Sequence, residues 1–159
     1  MNFFKKYKYW LVILLVIVVV IAIDLITKSI FEGKEFTIIN GILSIYSISN
    51  PGGAWGILSD STDFLIILSI IILFILVWIN IQLKEKTTFY SIGMGLIVGG
   101  AVGNLIDRFA FHQVRDFIKL DFLNFPIFNF ADICLTVGAI FMIIYFLFLY
   151  KPQAQKPKS

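Results

Sequence analysis

The chain has 159 residues, of which 59% are hydrophobic and 14% are charged, with a mean hydropathy of +0.93 and a net charge of +3. Because an average soluble domain carries about 25% charged residues, this composition excludes a soluble enzyme, a disordered chain and a disulfide-based scaffold. It is typical of a small protein that crosses the bilayer several times.

The first apolar run follows three lysines within residues 5–8, an arrangement that secretory signal peptides also show. No small-residue cleavage site follows it, because apolar residues continue up to Asp24. We therefore predict a retained membrane helix over about residues 9–31. Asp24 and Lys28 lie four residues apart on one face of it, and an intrahelical salt bridge is favoured over direct chemistry.

A hairpin is predicted after this helix. Residues 36–39 and 42–48 are rich in β-branched and aromatic side chains and flank Asn40-Gly41, a dipeptide typical of β-hairpins. We expect a small sheet on the outer face of the helices. The sequence Asn50-Pro51-Gly52-Gly53 then ends the second strand, and an amphipathic stretch at about 54–63 leads into the next helix.

Three further uncharged runs predict membrane helices at about 63–83, 88–108 and 131–150. The segment 109–130 contains a proline and several aromatic residues, and we expect an ordered loop that follows the membrane interface. Because no repeat or linker interrupts the pattern, the sequence predicts one domain over 1–159.

The basic residues lie mostly in the two terminal segments and in the short connection Lys84-Glu85-Lys86, whereas 32–62 and 109–130 hold half of the acidic residues. The positive-inside rule therefore places both termini in the cytoplasm and these two longer regions outside. The same bias explains the net charge of +3 without a nucleic-acid partner.

Polar residues that interrupt the apolar pattern converge at the outer membrane level. A charge at membrane depth costs a few kcal/mol and usually marks function or a pairing partner. Small residues in 99–103 precede the polar group at the end of the third helix and allow neighbouring helices to approach closely. The residues are Asn104, Asp107 and Arg108 at the end of the third helix, Asp116 in the following segment, and Asn129 and Asp132 at the start of the fourth helix.

The residue types restrict the possible chemistry. His112 is the only histidine, and no serine lies in a strained Gly-x-Ser-x-Gly turn. No His/Cys/Glu grouping has the spacing of metal ligands, so the sequence predicts neither a metal nor an organic cofactor. We expect His112 to lie at the interface and Cys134 to be a buried, inert thiol.

Aspartates remain as the reactive groups. Two carboxyl groups about 3 Å apart share a proton, so that one acts as general base on a water and the other donates to a scissile carbonyl oxygen. Asp132, near a helix N-terminus, is favoured as the anion, and Asp116 is its candidate partner. Spacing alone leaves this dyad, a transport site and structural ion pairs open.

Five segments carry a family pattern from the first helix to the fourth. In chain order they are Asp24-Leu25-Ile26-Thr27-Lys28, Asn50-Pro51-Gly52-Gly53-Ala54-Trp55-Gly56, Gly99-Gly100-Ala101-Val102-Gly103-Asn104-Leu105-Ile106-Asp107-Arg108, Val114-Arg115-Asp116-Phe117 and Phe128-Asn129-Phe130-Ala131-Asp132. In these segments the chain resembles the lipoprotein signal peptidases, or type II signal peptidases, the bacterial intramembrane aspartic proteases. The resemblance implies an all-α membrane protein with four transmembrane helices, a small extracytoplasmic β-sheet (the β-cradle) and an outer loop or helix.

The resemblance also implies an activity, namely cleavage of diacylglyceryl-modified prolipoproteins immediately before the lipidated cysteine. Asp116 and Asp132 match the catalytic dyad, and Asp24 and Lys28 match a structural polar pair. Positions that bind substrate or support the dyad are matched by Asn50, Gly52, Asn104, Arg108 and Asn129. The implied partners are the prolipoprotein, membrane lipids and globomycin-like inhibitors. The implied location is the bacterial cytoplasmic membrane, with the active site near its outer face, and a monomer suffices for a self-contained dyad.

Arg115 departs from the family pattern, which often has an apolar residue at this position. Turned inward, its charge would lower the pKa of Asp116. We expect its side chain to point to the lipid headgroups instead.

Two other functions compete with the peptidase. A small transporter would use Asp24, Lys28 and Asp107 as a charge relay, but the middles of the second and fourth helices are almost uniformly apolar. A non-catalytic assembly protein would need a stripe of polar or small residues for its partners, which only the region 93–103 offers.

Overall fold

The computed structural model describes residues 3–52, 61–83 and 85–150. Four long helices dominate it, and each is long and apolar enough to cross a membrane. They are α1 (Phe3–Phe31), α2 (Thr62–Gln82), α3 (Thr88–Phe111) and α4 (Phe130–Ile144), which continues as a π-helical turn over Tyr145–Leu149. The four predicted membrane helices are thus confirmed. Most of the amphipathic stretch predicted at 54–63 lies outside the described residues.

Helix α3 is the central helix of the bundle, because its glycines let α1 and α4 approach closely. A Cβ atom added at Gly95 would lie 2.7 Å from Cβ of Val16 in α1, and one added at Gly138 of α4 would lie 2.8 Å from the carbonyl oxygen of Gly93. Many other apolar side chains, among them Phe74 and Phe148, face outward, as expected for helices surrounded by lipid.

A three-stranded antiparallel sheet lies beside the helix ends, in the order β1 (Glu35–Ile39), β2 (Leu43–Asn50) and β3 (Val114–Leu120). The predicted hairpin is confirmed, and Gly41 in its turn has a φ of 72°, a conformation that glycine adopts without strain. The third strand corrects the expectation of a loop throughout 109–130. Its pairing partner is β2, so no local turn signal in the sequence reveals it.

The register between β2 and β3 brings two distant parts of the sequence together. Asn50 pairs with Val114, and Ile48 pairs with Asp116. An irregularity between Ile45 and Ile48 shifts the register on one side, as a β-bulge does next to many active sites. The pairing positions Asp116 between β2 and the start of α4.

Candidate active site

Asp116 lies in β3 and is almost fully buried, with 2% of its surface exposed. The side-chain amide of Asn50 donates to its Oδ2 atom at 2.8 Å, and that of Asn129 donates to its Oδ1 atom at 2.7 Å. Burial and the negative charge of Asp132 raise the pKa of Asp116, the two amide donors lower it, and the net result is a pKa of about 6. Asp116 therefore holds a proton to a much higher pH than an exposed aspartate does.

Asp132 is positioned by the start of α4, where Asn129 is the N-cap residue. The Asn129 side chain accepts from the backbone N–H of Asp132 at 3.0 Å, and Asp132 Oδ2 accepts from the backbone N–H of Asn129 at 3.1 Å. This reciprocal arrangement is a capping box. The other carboxyl oxygen, Oδ1, accepts from the side-chain amide of Asn104 at 2.8 Å. Both oxygens of Asp132 are thus held in a fixed direction by N–H donors.

Asn129 connects the two aspartates through one side chain. Its amide nitrogen donates to Asp116 Oδ1 and, at 3.0 Å, to Asn104 Oδ1, while its own oxygen caps the helix at Asp132. Asn129 is fully buried, as a residue that holds others in place is expected to be. The predicted dyad residues are therefore brought together by a continuous hydrogen-bond network.

Both aspartates line one cavity of about 490 Å³. Gly52 lines this cavity, and the polar side chains on its wall are those of Asn50, Asn104, Arg108, Asp116, Asp132 and Thr136. The rest of the wall is mostly apolar and is formed by residues 125–128 and by side chains of α4 between 133 and 137. Ile133 and Val137 are also exposed on the outer surface of α4, so the cavity extends to the lipid-facing side of the bundle. No local sequence signal predicts that residues 125–127 line the cavity, because their position depends on how this segment folds back on β3.

Arg108 places a positive charge beside both aspartates in this cavity. One guanidinium nitrogen donates to the carbonyl oxygen of Gly52 at 3.4 Å. The buried Nε atom has no hydrogen-bond partner within residues 3–52, 61–83 and 85–150. An unpaired N–H donor next to two carboxyl groups is suited to bind a carbonyl oxygen of a ligand.

Asp24 and Lys28 form the predicted intrahelical ion pair, with 2.7 Å between Lys28 Nζ and Asp24 Oδ2, and both side chains are fully buried. The pair also supports the site. Lys28 donates to Asn104 Oδ1 at 3.0 Å, and Asp24 Oδ1 accepts from the backbone N–H of Ala131 at 3.0 Å. The ion pair thus fixes Asn104 and the first turn of α4, which hold Asp132.

Asp107 shares its helix with Asn104 and Arg108 but faces a different neighbour. Its Oδ2 atom is 3.4 Å from Lys28 Nζ, and its carboxyl group pairs with Arg115. Asp107 is not among the residues lining the cavity. The predicted group of three therefore divides into two cavity residues and one residue that joins α3 to β3.

The expectation for Arg115 is wrong. Its guanidinium does not point to the headgroups but binds Asp107, with Nη2 2.8 Å from Oδ1 and Nε 3.3 Å from Oδ2, and it also contacts Glu32 at 3.3 Å. These hydrogen bonds raise the pKa of Arg115. The side chain of Asp107 has 0% exposure, and a buried carboxylate requires a cationic or hydrogen-bonding partner. Arg115 supplies that partner and therefore turns inward to α3 and not outward to solvent. The role of Glu32 was missed, since nothing in the local sequence links it to Arg115.

His112 and Cys134 lie outside this hydrogen-bond network. His112 ends α3 in a left-handed conformation with a φ of 55°, and its backbone oxygen accepts from the hydroxyl of Thr62 at 3.0 Å. Cys134 is buried in α4 as a free thiol, as expected.

Comparisons with known proteins agree with these features. A family model described as signal peptidase (SPase) II matches residues 16–148. A lipoprotein signal peptidase of Lactiplantibacillus plantarum is 39% identical over 139 residues, which cover 85% of this chain and 93% of that protein. A lipoprotein signal peptidase of Staphylococcus aureus (strain JH9) is 42% identical over 147 residues, which cover 88% and 90%.

Solved structures are also similar. A bacterial membrane enzyme determined by the in meso method at 2.3 Å resolution superposes with a TM-score of 0.80 at 38% identity, covering 92% of this chain and 94% of that one. A second, determined at 1.9 Å resolution, gives a TM-score of 0.77 at 39% identity, covering 87% and 94%.

Proposed function

This chain belongs to the signal peptidase II family of multi-span bacterial membrane proteins, and from that premise we propose that it is an aspartic endopeptidase that cleaves diacylglyceryl-modified prolipoproteins before the lipidated cysteine. Asp116 and Asp132 form its catalytic dyad. The observation that carries this proposal is that both carboxyl groups line one cavity and are joined through Asn129.

The two aspartates take different roles in this mechanism. Asp132 accepts two N–H donors on its carboxylate oxygens, so it acts as the general base that takes a proton from the attacking water. Asp116 has a raised pKa of about 6, so it supplies the proton to the scissile carbonyl oxygen. A tetrahedral intermediate forms, a proton passes to the leaving amine, and the peptide bond breaks.

Arg108 and Asn104 support the reaction without exchanging protons. The unpaired Nε–H of Arg108 binds a carbonyl oxygen of the substrate, either of the peptide or of a lipid ester. Asn104 holds Asp132 Oδ1 at 2.8 Å, which keeps the base aimed at the cavity. Preorganised donors of this kind stabilise developing charge more effectively than water does.

Substrate reaches the cavity from within the membrane. The diacylglyceryl chains and the apolar signal helix confine the prolipoprotein to the bilayer, and the apolar wall at α4 extends to the lipid-facing surface. With both termini in the cytoplasm, the cavity lies at the outer face, where water reaches the dyad and the sheet lies over the membrane surface. A monomer contains every residue that this mechanism uses.

Cleavage of a purified lipid-modified prolipoprotein, followed by gel shift, tests this proposal. Asp116→Asn and Asp132→Asn are each expected to abolish cleavage, while thermal melting shows a folded protein. The matched control is Asp63→Asn, which alters an exposed aspartate in the first turn of α2 and should retain wild-type activity. Turnover near the wild-type rate by either Asp116→Asn or Asp132→Asn would contradict the dyad.

A further inference from the structure

A second cavity lies near the other end of the bundle, away from the sheet. This groove, which we call the Asn80 groove, has a volume of about 180 Å³ and lies between α1, α2 and α3. Residues from each helix line it, including Trp10, Ile17, Val77 and Val98. Trp10 and Val77 are more than 40% exposed, so the groove is open towards the surrounding lipid.

Asn80 is the polar residue on the wall of this groove, and its side chain is 97% buried. Within the described part of the chain its Oδ1 atom has no hydrogen-bond partner. An unsatisfied buried acceptor costs about 1–3 kcal/mol. The torsion that turns an asparagine amide is soft, so a donor lodged in the groove is within its reach. Asn80 Oδ1 is therefore available to accept a hydrogen bond from a donor in the groove.

A cation lies beside the same groove. Lys86 Nζ is 5.7 Å from the centre of the Trp10 ring, and it donates to the backbone oxygen of Leu83. Among residues 3–52, 61–83 and 85–150, no carboxylate lies within ion-pair distance of it. Partial burial lowers the pKa of Lys86, which is expected for a cation removed from water without an anion. The groove therefore has at its mouth a cation with no ion-pair partner among the described residues.

The polar groups of the groove lie near the helix ends, and its apolar lining extends towards the middle of the helices. Asn80 lies two positions before the end of α2, and Lys86 lies in the connection that follows. Ile17 lies seven residues beyond Trp10 on α1, which is about 10 Å further along the helix axis. A ligand that fits has an anionic head with a hydrogen-bond donor at the level of the helix ends and an apolar tail directed to the bilayer centre.

We infer that the Asn80 groove binds one acyl chain of an anionic phospholipid whose headgroup carries hydroxyl groups, as phosphatidylglycerol does. The phosphate lies near Lys86, a headgroup hydroxyl donates to Asn80, and the chain packs along Trp10 towards Ile17. Basic pockets between membrane helices bind anionic headgroups by the same combination of forces.

The full-length protein in detergent provides the test, with thermal melting and native mass spectrometry as readouts. Phosphatidylglycerol should raise the melting temperature and remain bound at one copy per chain, because a ligand of the folded state stabilises it. Phosphatidylcholine with the same acyl chains lacks net charge and hydroxyl donors and should do neither. Val77→Trp, which fills the groove, should reduce phosphatidylglycerol retention at least tenfold, whereas Ile71→Trp, an exposed residue of the same helix outside the groove, should not.

Two further variants separate the headgroup contacts from packing. Asn80→Leu should lose the phosphatidylglycerol-dependent shift while melting no lower than wild type without lipid, because it removes an unsatisfied acceptor. Lys86→Gln should weaken retention, and Lys119→Gln, a charge loss on the sheet, should leave it unchanged. Equal retention of the two lipids, equal retention by the two tryptophan variants, or a dimer that Val77→Trp dissociates would each overturn the inference.

Discussion

Two nitrogens of the Arg115 side chain bind the carboxyl group of Asp107, with 2.8 Å between Nη2 and Oδ1 and 3.3 Å between Nε and Oδ2. The backbone N–H of Arg115 also donates to Asp107, at 3.0 Å. This pair joins the start of β3 to α3 one residue before Asp116. The arrangement fixes the strand that holds one of the two proposed catalytic acids.

We expect Arg115→Gln to destabilise the protein by about 1.5–3 kcal/mol, since it removes hydrogen bonds to a buried charge. Lys28 and the backbone N–H at 115 remain as partners of Asp107, which limits the loss. The control is Lys119→Gln, which breaks a more exposed ion pair with Asp121 and should change stability much less. Denaturant titration in detergent measures both, and equal effects of the two substitutions would contradict a structural role for the Arg115 pair.

Substitutions at Asn129 separate its two tasks. Serine is a good N-cap but lacks an amide donor, so Asn129→Ser should retain the start of α4 and lose the hydrogen bond to Asp116. We expect its cleavage rate to fall about 10- to 100-fold, as for loss of a hydrogen bond to a charged group. Asn129→Ala should show the same loss of activity and about 1 kcal/mol lower stability than Asn129→Ser. Wild-type cleavage by Asn129→Ser would show that the link between Asn129 and Asp116 is dispensable.

The raised pKa of Asp116 predicts a pH dependence. If Asp116 reacts in its protonated form, kcat/KM should decline as the pH rises through about 6. Asn50 donates to the carboxylate and so favours the charged form. Removing the Asn50 amide in Asn50→Ala should therefore raise the pKa of Asp116. The decline of kcat/KM on the alkaline side of the pH profile should then move to higher pH. Ser49→Ala, an exposed neighbour in the same strand, is the control. A decline that stays in place or moves to lower pH in Asn50→Ala would rule out Asp116 as the titrating acid.

Gly103 allows α3 to pass close to the ion pair in α1. A Cβ atom there would lie 2.6 Å from Asp24 Oδ2, so Gly103→Ala should displace the carboxyl group and weaken its bond to Lys28. We expect a net destabilisation of about 1–3 kcal/mol, although alanine is the better helix former. Ala110→Leu adds carbon atoms at an exposed position of the same helix and should be nearly neutral. Thermal melting distinguishes the two, and a stabilised Gly103→Ala variant would be inconsistent with the close contact.

The sequence predicted the features that depend on neighbouring residues. Membrane helices follow from the length of apolar runs, and the hairpin at Asn40-Gly41 follows from turn chemistry, so both are visible in a short window. The i, i+4 spacing likewise predicted the pair Asp24 and Lys28 correctly.

Features that depend on distant residues were missed. Strand β3 forms because β2 offers it a hydrogen-bonding edge, and its partner Asn50 lies 64 residues before Val114. Arg115 turns to Asp107 and Glu32 because the fold brings two acids to it, one from the end of α3 and one from just after α1. The residues alone offered Asp116 as a candidate partner of Asp132 beside a transport site and structural ion pairs, and the family resemblance favoured the dyad, since neither residue has a local pattern that specifies the other.

The capping box gives Asp132 a second function. The carboxyl group that faces the cavity is also the one that starts α4, through the backbone N–H of Asn129. Inserting or deleting one residue between these two positions would rotate the acid by about 100° around the helix axis. The same change would unwind the first turn of α4. The three-residue interval inside the cap can therefore not change without turning the acid away from the cavity.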